Sequence, residues 1–255
     1  MRRKEPPMME RAQYKQEARD LLRDARVSPC LLTLIYLVIL AVITGLDRYT
    51  SLPATVAYLQ EMDPQQAAAL PPALLELSIP PAVSGFVSIL GMMLSITLGA
   101  GMSLYHLGIR RRREMPLATL FDGFGMVGRV VVLGLLQNVL IYLGFLLLFV
   151  PGIVLAYRYR FAMYNLLENP ELRPIAALRM SAAQTAGFKL ELFLLDLSFL
   201  GWVLLFLLTF GIAGIWVLPY YQQTNVGYFQ AIKSIRGIGQ LPDGEQPDDP
   251  FSPRF

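Results

Sequence analysis

The stretch FVPGIVLAYRYRF, Phe149–Phe161, runs through a Pro-Gly pair and then places two arginines where more apolar residues would be expected. Pro-Gly pairs are strong turn signals. Either the chain leaves an apolar environment at Arg158, or it has already turned at Pro151-Gly152 and started back with both arginines inside that environment. The choice between these interpretations sets the number of times the chain crosses a membrane.

The composition indicates a membrane protein. Of 255 residues, 55% are hydrophobic and 16% are charged, and the mean hydropathy is +0.47, whereas soluble domains carry about 25% charged residues. One cysteine, Cys30, excludes an internal disulfide and a cysteine-built metal site, and one histidine, His106, argues against a histidine metal cage. The net charge of +3 is too small to indicate nucleic-acid binding. We expect no cofactor and no metal.

Long uncharged runs predict an all-α integral membrane fold. We expect a six-helix transmembrane bundle with amphipathic interfacial helices, including two tight helical hairpins. The first apolar run is interpreted as a retained span, because 28 mostly polar residues precede it, too many for a signal-peptide leader. The predicted organisation is a cytoplasmic helix in 1–28, one polytopic membrane domain in 29–233 and a disordered cytoplasmic tail in 234–255. The predicted spans are 29–46, 83–108, 130–149, 152–168, 190–209 and 211–232.

The segment Met8–Val27 predicts a basic amphipathic helix. Such a helix suits an anionic membrane surface, and a solvated helix that leads into the first span explains the pattern equally well. The apolar face consists of Tyr14, Ala18, Leu21, Leu22 and Ala25, opposite Arg11, Lys15, Arg19 and Arg23.

The distribution of positive charge separates a four-span from a six-span arrangement, because basic residues near span ends favour the cytoplasm. With four spans, the segment 158–189 lies outside, and 16 of the 22 basic residues are cytoplasmic against six external ones. With six spans the ratio becomes 19 to one, while Arg158 and Arg160 fall inside the fourth span. The charge rule favours six spans, with four as the alternative.

A six-span arrangement needs a partner for the buried arginines, and Asp196 is available. Asp196 lies seven residues beyond Lys189, about 10 Å above the inner face, and Arg160 lies nine residues beyond Pro151, about 13 Å below the outer face. In a hydrocarbon core of about 30 Å these depths nearly meet. We therefore predict an ion pair between Arg160 and Asp196, with Arg158 facing water or headgroups.

A weak internal sequence repeat supports two equivalent hairpins. MPLATL, Met115–Leu120, and RPIAAL, Arg173–Leu178, each precede a basic residue and an apolar hairpin. Arg129 and Pro151 are 22 residues apart, as are Lys189 and Gly211.

Polar residues beside a helix break are candidates for a ligand site. Pro219 interrupts the sixth predicted span and frees backbone carbonyls, and transporters build ligand sites from such breaks. The simpler interpretation is that these polar groups hydrogen-bond neighbouring helices or lie in the inner interface. The intramembrane candidates are Gln137, Asn138, Arg158, Arg160, Asp196, Tyr220, Gln222, Gln223 and Asn225.

Several stretches resemble a bacterial family of integral membrane proteins known as domain of unknown function 975. The resemblance covers about residues 10–235 and is carried by FLLDLSFLGWVLL (Phe193–Leu205), LTFGIAGIWVLPYYQQT (Leu208–Thr224), VPGI (Val150–Ile153), YNLLENP (Tyr164–Pro170) and LFDGF (Leu120–Phe124). The layout is more distantly similar to the membrane domain attached to some bacterial glycerophosphodiester phosphodiesterases. Membership would imply a multi-pass plasma-membrane protein, with no catalytic residue to carry over.

These observations lead to an expected function. We expect a non-enzymatic membrane protein of the bacterial plasma membrane, with both termini cytoplasmic, that acts as a small-ligand or protein-partner module. The alternative is a transporter of a small solute or lipid-related molecule. The expected partners are the lipid bilayer, anionic lipid at the amino-terminal helix and a second copy of the chain, whereas the sequence names no ligand or physiological role.

Overall fold

The computed structural model describes residues 11–63, 65, 71 and 79–239. Every regular element in that part of the chain is helical, which confirms the predicted all-α fold. A 3-10 segment, Leu117–Met126, lies between the third and fourth α-helices. The α-helices are α1 (Arg11–Asp24), α2 (Pro29–Met62), α3 (Pro81–Arg110), α4 (Val127–Leu147), α5 (Phe149–Arg158), α6 (Ala162–Glu168), α7 (Pro174–Gln184), α8 (Lys189–Leu197), α9 (Leu200–Leu208) and α10 (Gly214–Arg236).

The chain divides into two compact units, one formed by Met1–Leu34 with Thr97–Phe255 and the other by Ile35–Ile96. In the second unit, Ser88 of α3 donates a hydrogen bond to the Asp47 carboxylate of α2. Gly91 lets the same two helices approach, since an added Cβ would lie 3.0 Å from Cγ2 of Ile43. The segment between the first two predicted spans is helical from Asp47 as far as Met62, and most of its remainder lies outside the described residues.

Three helical segments are long and apolar enough to cross a membrane: Pro29–Glu61, Pro81–Arg110 and Leu117–Leu147. A fourth is added if α8 and α9, which are bent by 41° at their junction, are counted as one span. The described residues therefore contain three to four candidate spans, and the predicted count of six is not confirmed.

The first predicted reversal is present, three residues earlier than the Pro-Gly pair. Leu148 adopts an extended conformation with φ −162° and ψ 152°, and it separates α4 from α5. The two helices then pack closely, because a Cβ on Gly144 would lie 3.0 Å from the Gly152 Cα. Pro151 falls within the first turn of α5, where the missing N–H costs no helical hydrogen bond. The proline therefore starts the returning helix and does not itself form the turn.

The second predicted reversal, near Gly211, is also present. Phe210 and Gly211 both adopt positive φ, 49° and 91°, between α9 and α10. The Phe199 and Tyr221 rings lie 5.2 Å apart, and Phe206 contacts Gly214 nearer the turn. The two helices are therefore antiparallel.

Two predicted spans are broken helices. The predicted span 152–168 is interrupted between α5 and α6, and the predicted span 190–209 is interrupted between α8 and α9. In contrast, α10 continues through Pro219 to Arg236 and ends at Gly237 with φ 62°. The first residues of the predicted disordered tail are thus helical, and residues 240–255 lie outside the described part of the chain.

The amino-terminal helix α1 packs along α10 in the antiparallel direction. The Tyr14 and Tyr228 rings lie 5.0 Å apart, and the Arg19 guanidinium lies over the Tyr220 ring. Ala18, in the middle of α1, is fully buried. The apolar face of this helix is thus covered by protein, whereas the amphipathic pattern had indicated a membrane surface or solvent.

Candidate functional site

The predicted ion pair between Arg160 and Asp196 is present and bidentate. The Arg160 Nη1 and Nη2 atoms lie 2.7 and 2.8 Å from Asp196 Oδ2 and Oδ1. The hydroxyls of Tyr157 and Tyr221 each donate to the same carboxylate at 2.8 Å. Arg160 also donates to Asn225 Oδ1 at 2.5 Å. We call these five residues the Arg160 cluster.

The Arg160 cluster joins three helical elements at the break between α5 and α6. Opening of the helix there leaves the Arg158 carbonyl free, and the hydroxyls of Ser181 on α7 and of Thr185, which follows α7 directly, donate to it at 2.9 and 3.1 Å. The Ser181 hydroxyl also accepts the Phe161 N–H at 3.1 Å. Because the break is satisfied by α7 and the charges are satisfied within the cluster, the arrangement suits a structural contact better than a ligand site.

The other candidates divide between those near the cluster and those away from it. Arg158 is exposed and lies beside the Tyr159 ring. Gln137 is half-buried and Asn138 is exposed on α4, and within the described residues no hydrogen bond connects either of them to the Arg160 cluster.

The residues after Pro219 face different parts of the core. Gln223 forms a 2.9 Å hydrogen bond with Nδ1 of the fully buried His106. Gln222 and Tyr220 each have a buried side-chain oxygen without a hydrogen-bond partner among the described residues. Within the described residues, no hydrogen bond connects these groups to Gln137 or Asn138.

A second ionic cluster was not predicted from the sequence. Glu168, only 5% exposed, lies 2.8 Å from Nη2 of Arg111 and 2.5 Å from Nζ of Lys233. The neighbouring Asn165 exchanges two hydrogen bonds with Gln184, at 2.8 and 3.0 Å. The sequence signal is a single acid in an otherwise uncharged helix. This signal does not identify a partner.

Basic and aromatic residues line an open cleft between α1 and the second hairpin. Its volume is about 430 Å³. Arg19 and Arg23 lie one helical turn apart on α1, and the chain's two tryptophans form part of the opposite wall. We call this the basic cleft; it is lined by Arg19, Leu22, Arg23, Trp202, Trp216, Val217 and Tyr220.

The charges of α1 are sorted between its two sides. On the side of α3, Glu17 forms a 2.8 Å salt bridge with Arg110. On the side of the hairpin, the Lys15 ammonium lies 4.3 Å from the centre of the Phe199 ring and donates to the Ser198 carbonyl. Arg19 and Arg23 are exposed and form no ion pair with a carboxylate among the described residues. The guanidinium groups are therefore available to an external anion.

The environment of Lys15 reflects this concentration of positive charge. Partial burial lowers the pKa of Lys15 below its ordinary value, and the neighbouring charges of Arg19 and Arg11 lower it further. Like charges disfavour one another, whereas an anion placed among them is favoured. This face of α1 therefore favours a nearby anion.

Taken with the fold, these features define, for the part of the chain that the structure describes, an all-helical protein with three to four candidate membrane spans and two internal ionic clusters. Residues 129–236 match the family model described as Protein of unknown function (DUF975). The match includes both hairpins but covers less than half of the chain, whereas the resemblance was expected over about residues 10–235. No curated protein and no solved structure matches the chain, so the more distant resemblance to glycerophosphodiester phosphodiesterase membrane domains is not confirmed.

Proposed function

We propose that this chain is a non-enzymatic, multi-pass protein of the bacterial plasma membrane that binds an anionic amphiphile in the basic cleft. The ligand class is a molecule with a phosphate headgroup and at least one acyl chain. Both termini are cytoplasmic in this proposal, and the two chain reversals keep the basic segments on one side of the membrane.

The observation that supports this proposal is that Arg19 and Arg23, which have no carboxylate partner among the described residues, face the aromatic wall of the basic cleft. Guanidinium groups bind phosphate through several donors in a planar fork. Trp202 and Trp216 are amphipathic residues of the kind that lie at headgroup level, and the buried Tyr220 hydroxyl lacks a partner among the described residues. The cleft therefore offers a charged end and an apolar side, which are the two requirements of an amphiphile.

The Arg160 cluster is a poor candidate for the ligand site, because its polar groups already bind one another. Its carboxylate accepts from both guanidinium nitrogens and from two tyrosine hydroxyls. A transported solute would have to displace several of these charge-assisted hydrogen bonds. We therefore place ligand binding at the basic cleft and give the Arg160 cluster a structural role.

Replacing both cleft arginines should weaken binding of an anionic lipid by about 30-fold. Each basic residue near an anionic headgroup contributes about 1 kcal/mol, and about 2 kcal/mol corresponds to that factor. The measurement is a titration of the purified protein, in non-ionic detergent, with dioctanoyl phosphatidylglycerol. Tryptophan fluorescence is the readout, because the two tryptophans of the chain both line the cleft. The test variant is Arg19→Gln/Arg23→Gln.

The control variant is Arg173→Gln/Arg179→Gln, which removes two equally exposed arginines from the region of α7. It should bind like the unmodified protein. Dioctanoyl phosphatidylcholine tests the charge requirement, and glycerol 1-phosphate separates a lipid headgroup from a free phosphate ester. Equal affinity of both double variants for phosphatidylglycerol would refute the proposal.

A further inference from the structure

The tips of the two hairpins are the most exposed apolar parts of the described chain. In the first hairpin, Leu146 is 83% exposed and its neighbours through Val150 are also exposed. In the second hairpin, Phe210 is 98% exposed, and α9 has no buried residue. Neither turn carries a charged side chain. Loops that emerge into water are usually polar, so these turns have the composition of segments that remain in hydrocarbon.

Several polar groups of the second turn have partners within the turn. Gly211 donates its N–H to the Phe206 carbonyl at 2.8 Å. The Thr209 hydroxyl donates to the Leu205 carbonyl at 2.9 Å and accepts the Ala213 N–H at 3.0 Å. A backbone turn buried in lipid needs such internal partners because no water is present.

Backbone groups of the first turn also have internal hydrogen-bond partners. The Leu148 N–H donates to the Gly144 carbonyl at 3.1 Å, and the Gly152 N–H donates to the Leu148 carbonyl at 3.3 Å. Pro151 has no N–H and so removes one of the unpaired donors at the start of α5.

Charged residues mark how deeply each hairpin can enter a membrane. Lys15 contacts Ser198, twelve residues before Phe210, and Arg19 lies over Tyr220, nine residues after Gly211. In the first hairpin, exposed Arg158 lies ten residues after Leu148. At 1.5 Å per helical residue these distances are about 14–18 Å. They are half of a hydrocarbon core of about 30 Å.

A complete crossing would place these cations near the centre of the bilayer. Because α1 packs along α10, a complete crossing by α10 would also bring α1 into the hydrocarbon, together with its residues Lys15, Arg19 and Arg23. Charged side chains are costly there. With the tips at the centre of the bilayer, the same cations lie at the headgroups of one leaflet.

We propose that both hairpins are re-entrant: the tips of α4–α5 and α9–α10 end among the acyl chains of one leaflet and return to the side from which they entered. Only α2 and α3 then cross the membrane completely. The Arg160 cluster lies at headgroup level, which removes the need for arginines deep in the bilayer. This inference concerns the insertion depth and does not depend on binding in the basic cleft.

The test is the depth of a nitroxide label at each tip. Leu146→Cys and Phe210→Cys are made in full-length protein carrying Cys30→Ala, which removes the single native thiol. Both replaced side chains are highly exposed, so packing is little affected. The protein is reconstituted in vesicles of phosphatidylethanolamine and phosphatidylglycerol, and collisions with oxygen are compared with collisions with a water-soluble nickel chelate. Ala183→Cys, exposed on α7, is the aqueous control.

Re-entrant hairpins predict a several-fold excess of oxygen over nickel collisions at both tips, with depths at the centre of the bilayer. Labels at Val150, Val154 and Arg158 should then become progressively shallower, and the Ala183 label should favour nickel. A membrane-impermeant maleimide should label neither tip when it is added to intact cells, and neither tip when it is added to inverted vesicles. Labelling from the external face would establish complete crossings and overturn the inference. Low collision rates with both reagents would also overturn it, because the tips would then be covered by protein.

Discussion

Replacing Arg160 with alanine should destabilise the protein by about 3 kcal/mol, at the low end for breaking a buried ion pair. The low end applies because the Arg160 and Asp196 side chains retain 14% and 29% exposure. The variant leaves the Asp196 carboxylate with two tyrosine donors and no cation, so that, among the hydrogen bonds of the cluster, the Tyr157 hydroxyl alone still connects α8 to the end of α5. We expect a marked loss of membrane-inserted protein and a lower unfolding temperature of the purified protein, both compared with the unmodified chain.

Arg158→Ala is the matched control for this prediction. It removes an arginine two residues away whose side chain is exposed and lies beside the Tyr159 ring. Its abundance should stay close to that of the unmodified protein. The exchanged pair Arg160→Asp/Asp196→Arg should recover part of the loss, because it restores opposite charges. Recovery stays incomplete because the tyrosine hydroxyls that donated to Asp196 and the Asn225 oxygen that accepted from Arg160 then face the wrong partners. Equal stability of Arg160→Ala and Arg158→Ala would contradict a structural role.

Replacing Glu168 with glutamine should destabilise the protein by about 3–5 kcal/mol, because the carboxylate is almost fully buried between two cations. Without its negative charge, Arg111 and Lys233 are left close together in a site that is only partly hydrated. Chemical denaturation of the purified protein measures the change. Removing one of the two cations as well, in Glu168→Gln/Lys233→Met, should recover part of the loss.

Glu171→Gln provides the control for Glu168. Glu171 is three residues further along, its side chain is 85% exposed, and its contact with Arg129 is 3.6 Å. Exposed ion pairs contribute about 0–1 kcal/mol, so this substitution should have little effect. A Glu168→Gln variant no less stable than Glu171→Gln would show that the buried triad contributes nothing.

Counting helical residues from each turn was sufficient to predict the Arg160–Asp196 pair. It did not predict that Tyr157, Tyr221 and Asn225 would complete the cluster. Both reversals were predicted from the Pro-Gly pair, from Gly211 and from the distribution of basic residues. The Leu148 turn was displaced by three residues because a proline can occupy the first turn of a helix. The position of the turn depends on the packing of Gly144 against Gly152. The residues next to the proline do not reveal this contact.

The breaks at residues 159–161 and 198–199 could not be predicted in this way. Neither contains proline or glycine, and the first is maintained by hydroxyl groups of Ser181 and Thr185, which lie on and directly after a later helix. Tertiary hydrogen bonds here override a sequence that reads as a continuous apolar helix.

The basic cleft could not be predicted from the sequence either. The amphipathic pattern of α1 identifies a basic face, but the tryptophans that meet it are about 180 residues further along the chain. Periodicity predicts which residues share a helical face. It does not predict which helix covers that face, and the packing of α1 on α10 was accordingly missed.

The proposed topology places the basic segments on the cytoplasmic side of the membrane, and cysteine labelling in intact cells tests it. Ala176→Cys and Ala183→Cys on α7 are compared with Gln60→Cys near the end of α2, each with Cys30→Ala. We predict that a membrane-impermeant maleimide labels Gln60→Cys from outside and labels the α7 positions only in inverted vesicles. Labelling of Ala183→Cys from outside intact cells would contradict the proposed topology, because the first hairpin would then fail to return to its side of entry.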